Sequence, residues 1–144
     1  PLQAELLKGV VVDESDDGST IVLTKVDKAT EPAAAMVFSV FGFEGGQVLH
    51  PPFCGENEFL SAVLAVRCMK DTLDPRQLFQ IAACIEMTIP FRKKDADGMG
   101  PGDRLHQRLV KTNEDFGLGM TEEELVRCAQ RAVDLGNRDV GNFQ

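Results

Sequence analysis

Asp95-Ala-Asp-Gly-Met-Gly-Pro-Gly-Asp-Arg-Leu-His106 is the stretch on which the reading of this chain turns. Three carboxylates, Asp95, Asp97 and Asp103, are interleaved with Gly98, Gly100 and Gly102. Glycine reaches backbone conformations closed to other residues, so the segment reads as a tight acidic loop. Oxygen-rich loops suit hard cations, and calcium asks for six to eight oxygen ligands.

Outward from this loop the pattern is helical. On the amino-terminal side, Asp74-Pro75 is a helix start, with Asp as N-cap and Pro in the first position. Leu78, Ile81, Ala82, Ile85 and Ile89 then hold one phase until Pro90 interrupts it. Further back, Phe59, Val63 and Val66 recur at helical spacing between Glu56 and about Met69, and Leu60 and Leu64 widen that face. Residues 31–41 open with Glu-Pro-Ala-Ala-Ala-Met, which favours a helix with proline in its first turn, and close on Val-Phe-Ser-Val-Phe, which suits a strand equally well. On the carboxyl-terminal side, Leu105 to Val110 supports a short helix, broken by Phe116-Gly-Leu-Gly119. Thr121-Glu-Glu-Glu124 is a capping box. Leu125, Cys128, Ala129 and Ala132 follow as one apolar stripe, which Gly136 is expected to stop. No internal repeat shows at a clean period.

The first thirty residues are the least helical. Val10–Val12 and Ile21–Val26 flank Asp13-Glu-Ser-Asp-Asp-Gly-Ser19, which reads as a β-hairpin, with a worn acidic loop between short helices as the contrary reading. The expected division is residues 1–32 as an amino-terminal hairpin or extension and residues 33–144 as a helical domain.

Composition narrows the function classes. The net charge of −8 repels nucleic acid backbones and anionic lipid and favours basic partners or cations. No apolar run approaches a membrane span, and the amino end lacks the layout of a secretion signal, so a cytoplasmic location is expected. Cys54, Cys68, Cys84 and Cys128 form no Cys-x-x-Cys pair. Buried free thiols are the first reading and two disulfides the alternative.

Several pieces together resemble the EF-hand superfamily, calmodulin and the myosin light chains in particular. Phe91 followed by Asp95-Ala-Asp-Gly-Met-Gly100 resembles the end of an entering helix and its loop. Glu58-Phe-Leu-Ser-Ala-Val-Leu resembles the start of an exiting helix, and Met69-Lys-Asp-Thr72 resembles the calmodulin interlobe linker. Asp74-Pro75 with Leu78 is similar to the helix start after a light-chain linker. Met120-Thr-Glu-Glu-Glu-Leu125 is similar to the opening of a last hand, and Phe38-Ser-Val-Phe41 looks like an entering helix with a degenerate loop. The resemblance runs from about residue 33 to 144. It departs from the family where Pro75 to Asp95 exceeds the usual entering helix and where Asp134 to Gly141 makes no loop.

The resemblance implies a mainly α fold of EF-hand-like helix–loop–helix pairs with degenerate loops. Asp95, Asp97 and Asp103 would supply carboxylates and Pro101 a backbone carbonyl. Met99 and His106 stand where further oxygen ligands belong, so calcium binding is expected to be weak or lost and no other cofactor is expected. The implied function is non-enzymatic: the grip of a basic amphipathic helix of a protein partner in a groove lined by Phe59, Val63, Met69, Phe79, Met87, Met120 and Leu125. The alternative is an α+β fold, with the hairpin sheet packed by the later helices, serving as a small-molecule-binding or regulatory module. Within it, Cys54 before a helix with His50 nearby would make a cysteine-dependent enzyme the lesser option. Zinc is disfavoured because its ligands are dispersed.

Overall fold

The computed structural model describes residues 11–14, 21–24, 26–49, 55–89 and 98–141. Three short strands, β1 (Val11–Glu14), β2 (Ile21–Leu23) and β3 (Val48–Leu49), pair antiparallel in the order β1-β2-β3. Five helices make up most of the described chain and pack on one another: α1 (Pro32–Phe41), α2 (Glu56–Met69), α3 (Pro75–Glu86), α4 (Pro101–Phe116) and α5 (Glu122–Gly141). The fold is mainly α.

α1 is the central element. Pro32 occupies its first turn, where a missing N–H costs nothing, and Ala34, Met36, Val37, Phe38, Val40 and Phe41 are all buried. A helix apolar around most of its circumference needs cover on several sides. α2, α3 and α4 each pack against it. The Val-Phe-Ser-Val-Phe segment is therefore helical and not a strand, because its side chains have apolar neighbours on three flanks. Phe38 and Phe41 meet Phe59 of α2 edge-on, with ring centroids 4.9 and 5.6 Å apart. Gly42 ends α1 at φ 72, a backbone conformation that favours glycine, and a Cβ there would press on Arg108 Cδ at 2.9 Å.

The sheet joins this body through Leu23, which is 1% exposed and belongs to the core. Its N–H donates to the Gln47 carbonyl at 2.9 Å, and its carbonyl accepts from the Gly46 N–H at 2.7 Å.

α2 spans Glu56 to Met69 as its apolar period predicts. α3 starts as its sequence implies. The Asp74 carboxylate accepts the Gln77 N–H, and the Gln77 side chain accepts the Asp74 N–H, both at 3.0 Å. α4 departs from expectation by running from Pro101 to Phe116 rather than over Leu105 to Val110. Pro101 in its first turn and the Asp103 carboxylate, which accepts the Gly100 N–H at 3.1 Å, start the helix early. α5 also differs, because it passes through Gly136 without stopping. A Cβ at Gly136 would collide with the Met87 carbonyl oxygen. The glycine serves a close crossing of α5 over the end of α3, not a helix end. α5 packs on both α3 and α4.

A buried carboxylate and a partly buried guanidinium meet in this bundle. Glu86 is 1% exposed, and its Oε1 receives the Arg108 Nη2 at 2.8 Å. Arg108 Nε also donates to the Val40 carbonyl at 2.8 Å, so one guanidinium joins α1, α3 and α4. The Thr112 hydroxyl donates to the Arg108 carbonyl at 2.7 Å. The Ser39 hydroxyl is then left to donate to Thr112 Oγ1, 2.5 Å away. Removing Arg108 takes a hydrogen-bonded countercharge from the buried Glu86, and the loss of one partner of such a pair is costly. Arg108→Met is expected to lower the unfolding free energy by about 3 kcal/mol in urea titration, with Glu86→Leu/Arg108→Met recovering much of the loss. An Arg108→Met midpoint indistinguishable from wild type would refute this account of the core.

Candidate functional site

At its amino end α1 is incompletely covered, and a cleft of about 370 Å³ opens there. Its floor is apolar and belongs to the core: Ala34 and Met36 of α1, Leu78 of α3, and Leu118 after α4. Leu73 and Phe116 are partly buried and add to the lining. The cleft is placed by helix ends and not by a loop of its own. The chain turns from α2 into α3 at residues 70–74 and from α4 into α5 at residues 117–121.

Polar side chains hold these turns. Arg76 Nε donates to the Leu118 carbonyl at 2.9 Å. The Asn113 amide clasps Met120, donating to its carbonyl at 3.1 Å and accepting its N–H at 2.9 Å. Thr121 caps α5, its hydroxyl accepting the Glu124 N–H at 3.2 Å while the Glu124 carboxylate accepts the Thr121 N–H at 3.0 Å. The Thr121 N–H and, next, the Thr121 side chain hold the Glu124 carboxyl below its ordinary value by hydrogen-bonding to the carboxylate.

The wall of the cleft carries an ion pair. Arg67 donates to the Glu31 carboxylate through Nε at 3.1 Å and through Nη2 at 3.1 and 2.9 Å. The Arg67 side chain is 11% exposed and that of Glu31 42%, so the fork is shielded on its arginine side and open to solvent on its carboxylate side. Lys70 and Asp71 line the rim and are exposed. Lys28 lies 4.5 Å above the Phe116 ring centroid and donates to the Asp115 carbonyl.

The residues singled out from sequence fall elsewhere. Of the seven expected to line a target groove, Phe59, Val63 and Phe79 are 0% exposed, Leu125 is 2% and Met120 is 7%. Met69 and Met87 pack against the same core from its edge. These side chains are committed to one another across the bundle, so a target helix reaches them only by displacing that packing. Asp95 and Asp97 lie outside the described residues, as do His50 and Cys54. Pro101 is the first residue of α4, and Asp103 is engaged with the Gly100 N–H. The second half of the acidic stretch is therefore helical rather than wrapped as a loop. His106 Nε2 stands 3.2 Å from Glu122 Oε1, an ion pair when the imidazole is protonated.

The cleft escaped sequence reasoning, although one signal was present. Arg67 falls four residues after Val63, on the phase of the buried face of α2. A cation at such a position calls for an anionic partner. Comparison with protein-family models, with curated proteins and with solved structures finds no match for this chain.

The described cysteines, Cys68, Cys84 and Cys128, are free thiols. Burial pushes the Cys84 thiol up, partly offset by Arg131. Burial, and next the neighbouring Cys84, push the Cys128 thiol up from 9.0 to about 12, against the opposing pull of Arg131. Between those values the unfolded chain loses the Cys128 proton while the folded chain keeps it. Stability is thus whole below 9.0 and declines as pH rises through the window. Urea midpoints measured on either side of 9.0 are expected to fall less steeply for Cys128→Ala than for wild type. Among the described cysteines, maleimide at neutral pH is expected to label Cys68 first and Cys128 only on unfolding, and prompt labelling of native Cys128 would contradict its burial.

Proposed function

We propose that this chain is a non-enzymatic binding module whose ligand site is the cleft at the amino end of α1. One observation carries the reading: a concavity of about 370 Å³, apolar on its floor, with a fixed Arg67–Glu31 pair on its wall. Ligand sites commonly take this form, a mostly apolar cleft of roughly 300–1,000 Å³ with a few placed polar groups. The five groove candidates held in the core favour a small ligand over a whole target helix as its occupant.

The helix order supports an EF-hand-like organisation for the scaffold. Successive helix ends stand fourteen residues apart in sequence at 42–55, a span that includes β3, and at 87–100, and five apart at 70–74 and 117–121. Long loops within a pair and short linkers between pairs are the rhythm of helix–loop–helix hands. The first helix of each pair also opens on an acidic residue followed by proline, Glu31-Pro32 and Asp74-Pro75. The second pair departs from that scheme, since α3 and α4 pack chiefly through α5. The use of Asp103 as a cap supports weak or lost calcium binding.

A second reading, a basic amphipathic helix of a protein partner placing one apolar anchor in the cleft, is favoured by the net charge of −8 and by the helix rhythm. Amide chemical-shift mapping during titration with anilinonaphthalene sulfonate tests the site. Shifts are expected to concentrate at Ala33, Met36, Leu73, Leu78 and Leu118. Shifts centred on the α4–α5 groove at Gly102 and Val133 would sink the proposal. A basic helical peptide that moves the same amides and displaces the dye would favour the second reading.

A further inference from the structure

We infer that the ligand of this cleft is a small amphiphile with an apolar body and a single carboxylate, which Lys70 meets at the rim. The inference rests on the reading of the cleft as a ligand site and adds its chemistry. Three hydrogen bonds from Arg67 satisfy the Glu31 carboxylate, so this pair contributes a neutral, fixed wall. Lys70, by contrast, is exposed and has no ion pair among the described residues. Lys28, outside the lining, is engaged with the Phe116 ring and the Asp115 carbonyl. Beside Lys70 stands Asp71, and Glu31 is already met by Arg67.

The four charged lining residues, Arg67 and Lys70 against Glu31 and Asp71, sum to zero, on a chain whose net charge is −8. The open groove between α4 and α5 differs, with Asp103 and Asp134 beside His106. An anionic ligand repelled by the molecule as a whole meets no net repulsion from this lining, where Lys70 is the exposed cation. One available ammonium suits a carboxylate better than a phosphate, which gains most from several converging donors or a free guanidinium fork. The apolar floor of Met36, Leu78 and Leu118 takes the body of such a ligand, and its burial supplies most of the affinity.

Calorimetry on the full chain with decanoate, decanol and decyltrimethylammonium, each below its aggregation threshold, tests this. Decanoate is expected to bind most tightly, with decanol weaker by about fivefold, the scale of one exposed ion pair, and the cation weaker still. Lys70→Ala is expected to bring decanoate down to the level of decanol, and Asp71→Asn to tighten decanoate. Both residues are exposed, so neither change removes core packing. Decanol or the cation binding as well as decanoate, with amide shifts still at Met36 and Leu78, would overturn the carboxylate preference and leave the cleft standing as a site. If none of the three binds while the naphthalene dye does, the amphiphile class is wrong. Failure of the dye as well removes the reading beneath it.

Discussion

The burial demand of α1 is the constraint from which the rest of this structure follows. Six of its ten residues are buried, and they lie on more than one side of the helix. A single packed neighbour covers one stripe of a helix, not its circumference. α2, α3 and α4 are all recruited to it, and α5 closes over the pair that remains open outward, α3 and α4. Each large apolar side chain so buried contributes about 2 kcal/mol, against the entropy of ordering the chain. Where the cover runs out, at Pro32 and Ala33, the apolar floor meets solvent and the cleft is the result. The site is thus a consequence of the packing rather than an addition to it.

Charge inside the bundle follows the same geometry. Arg108 reaches Glu86 and the Val40 carbonyl, and Arg67 reaches Glu31, so the two ion pairs both tie another helix, or its cap, to the α1 segment. Neither adds much net stability over a well-packed apolar substitute, because desolvation offsets the attraction. Their effect is to specify arrangement: a half-buried guanidinium accepts one placement of its carboxylate, and apolar contacts alone tolerate several.

Much of the helical framework was legible in the sequence because it rests on local signals. The Asp74-Pro75 start, the Thr121 capping box and the Phe59–Val63–Val66 period each depend on residues within one or two turns. The errors arose where a distant residue decides. Gly136 reads as a stop until Met87 is seen beneath it. Val-Phe-Ser-Val-Phe reads as a strand or helix until its three helical neighbours are in place. The acidic stretch ending at His106 reads as a loop until Pro101 and Asp103 are seen starting α4. The cleft was not legible at all, since it gathers residues from four helices and the turns between them, from Thr30 to Leu118. The groove expected from resemblance drew on large apolar residues at helical phase, and the same property sends them into a core.

The central claim is that the cleft at the amino end of α1 holds a ligand against Met36 and Leu78. Isotope-filtered nuclear Overhauser spectroscopy of the full chain with bound decanoate tests it most directly, because it reports contacts between ligand protons and named methyl groups. Cross-peaks are expected from the alkyl chain to the Met36 and Leu78 methyls, with the carboxylate end nearest the Lys70 side chain. Cross-peaks confined to Val126 and Val133 in the α4–α5 groove, or none to any core methyl, would contradict it.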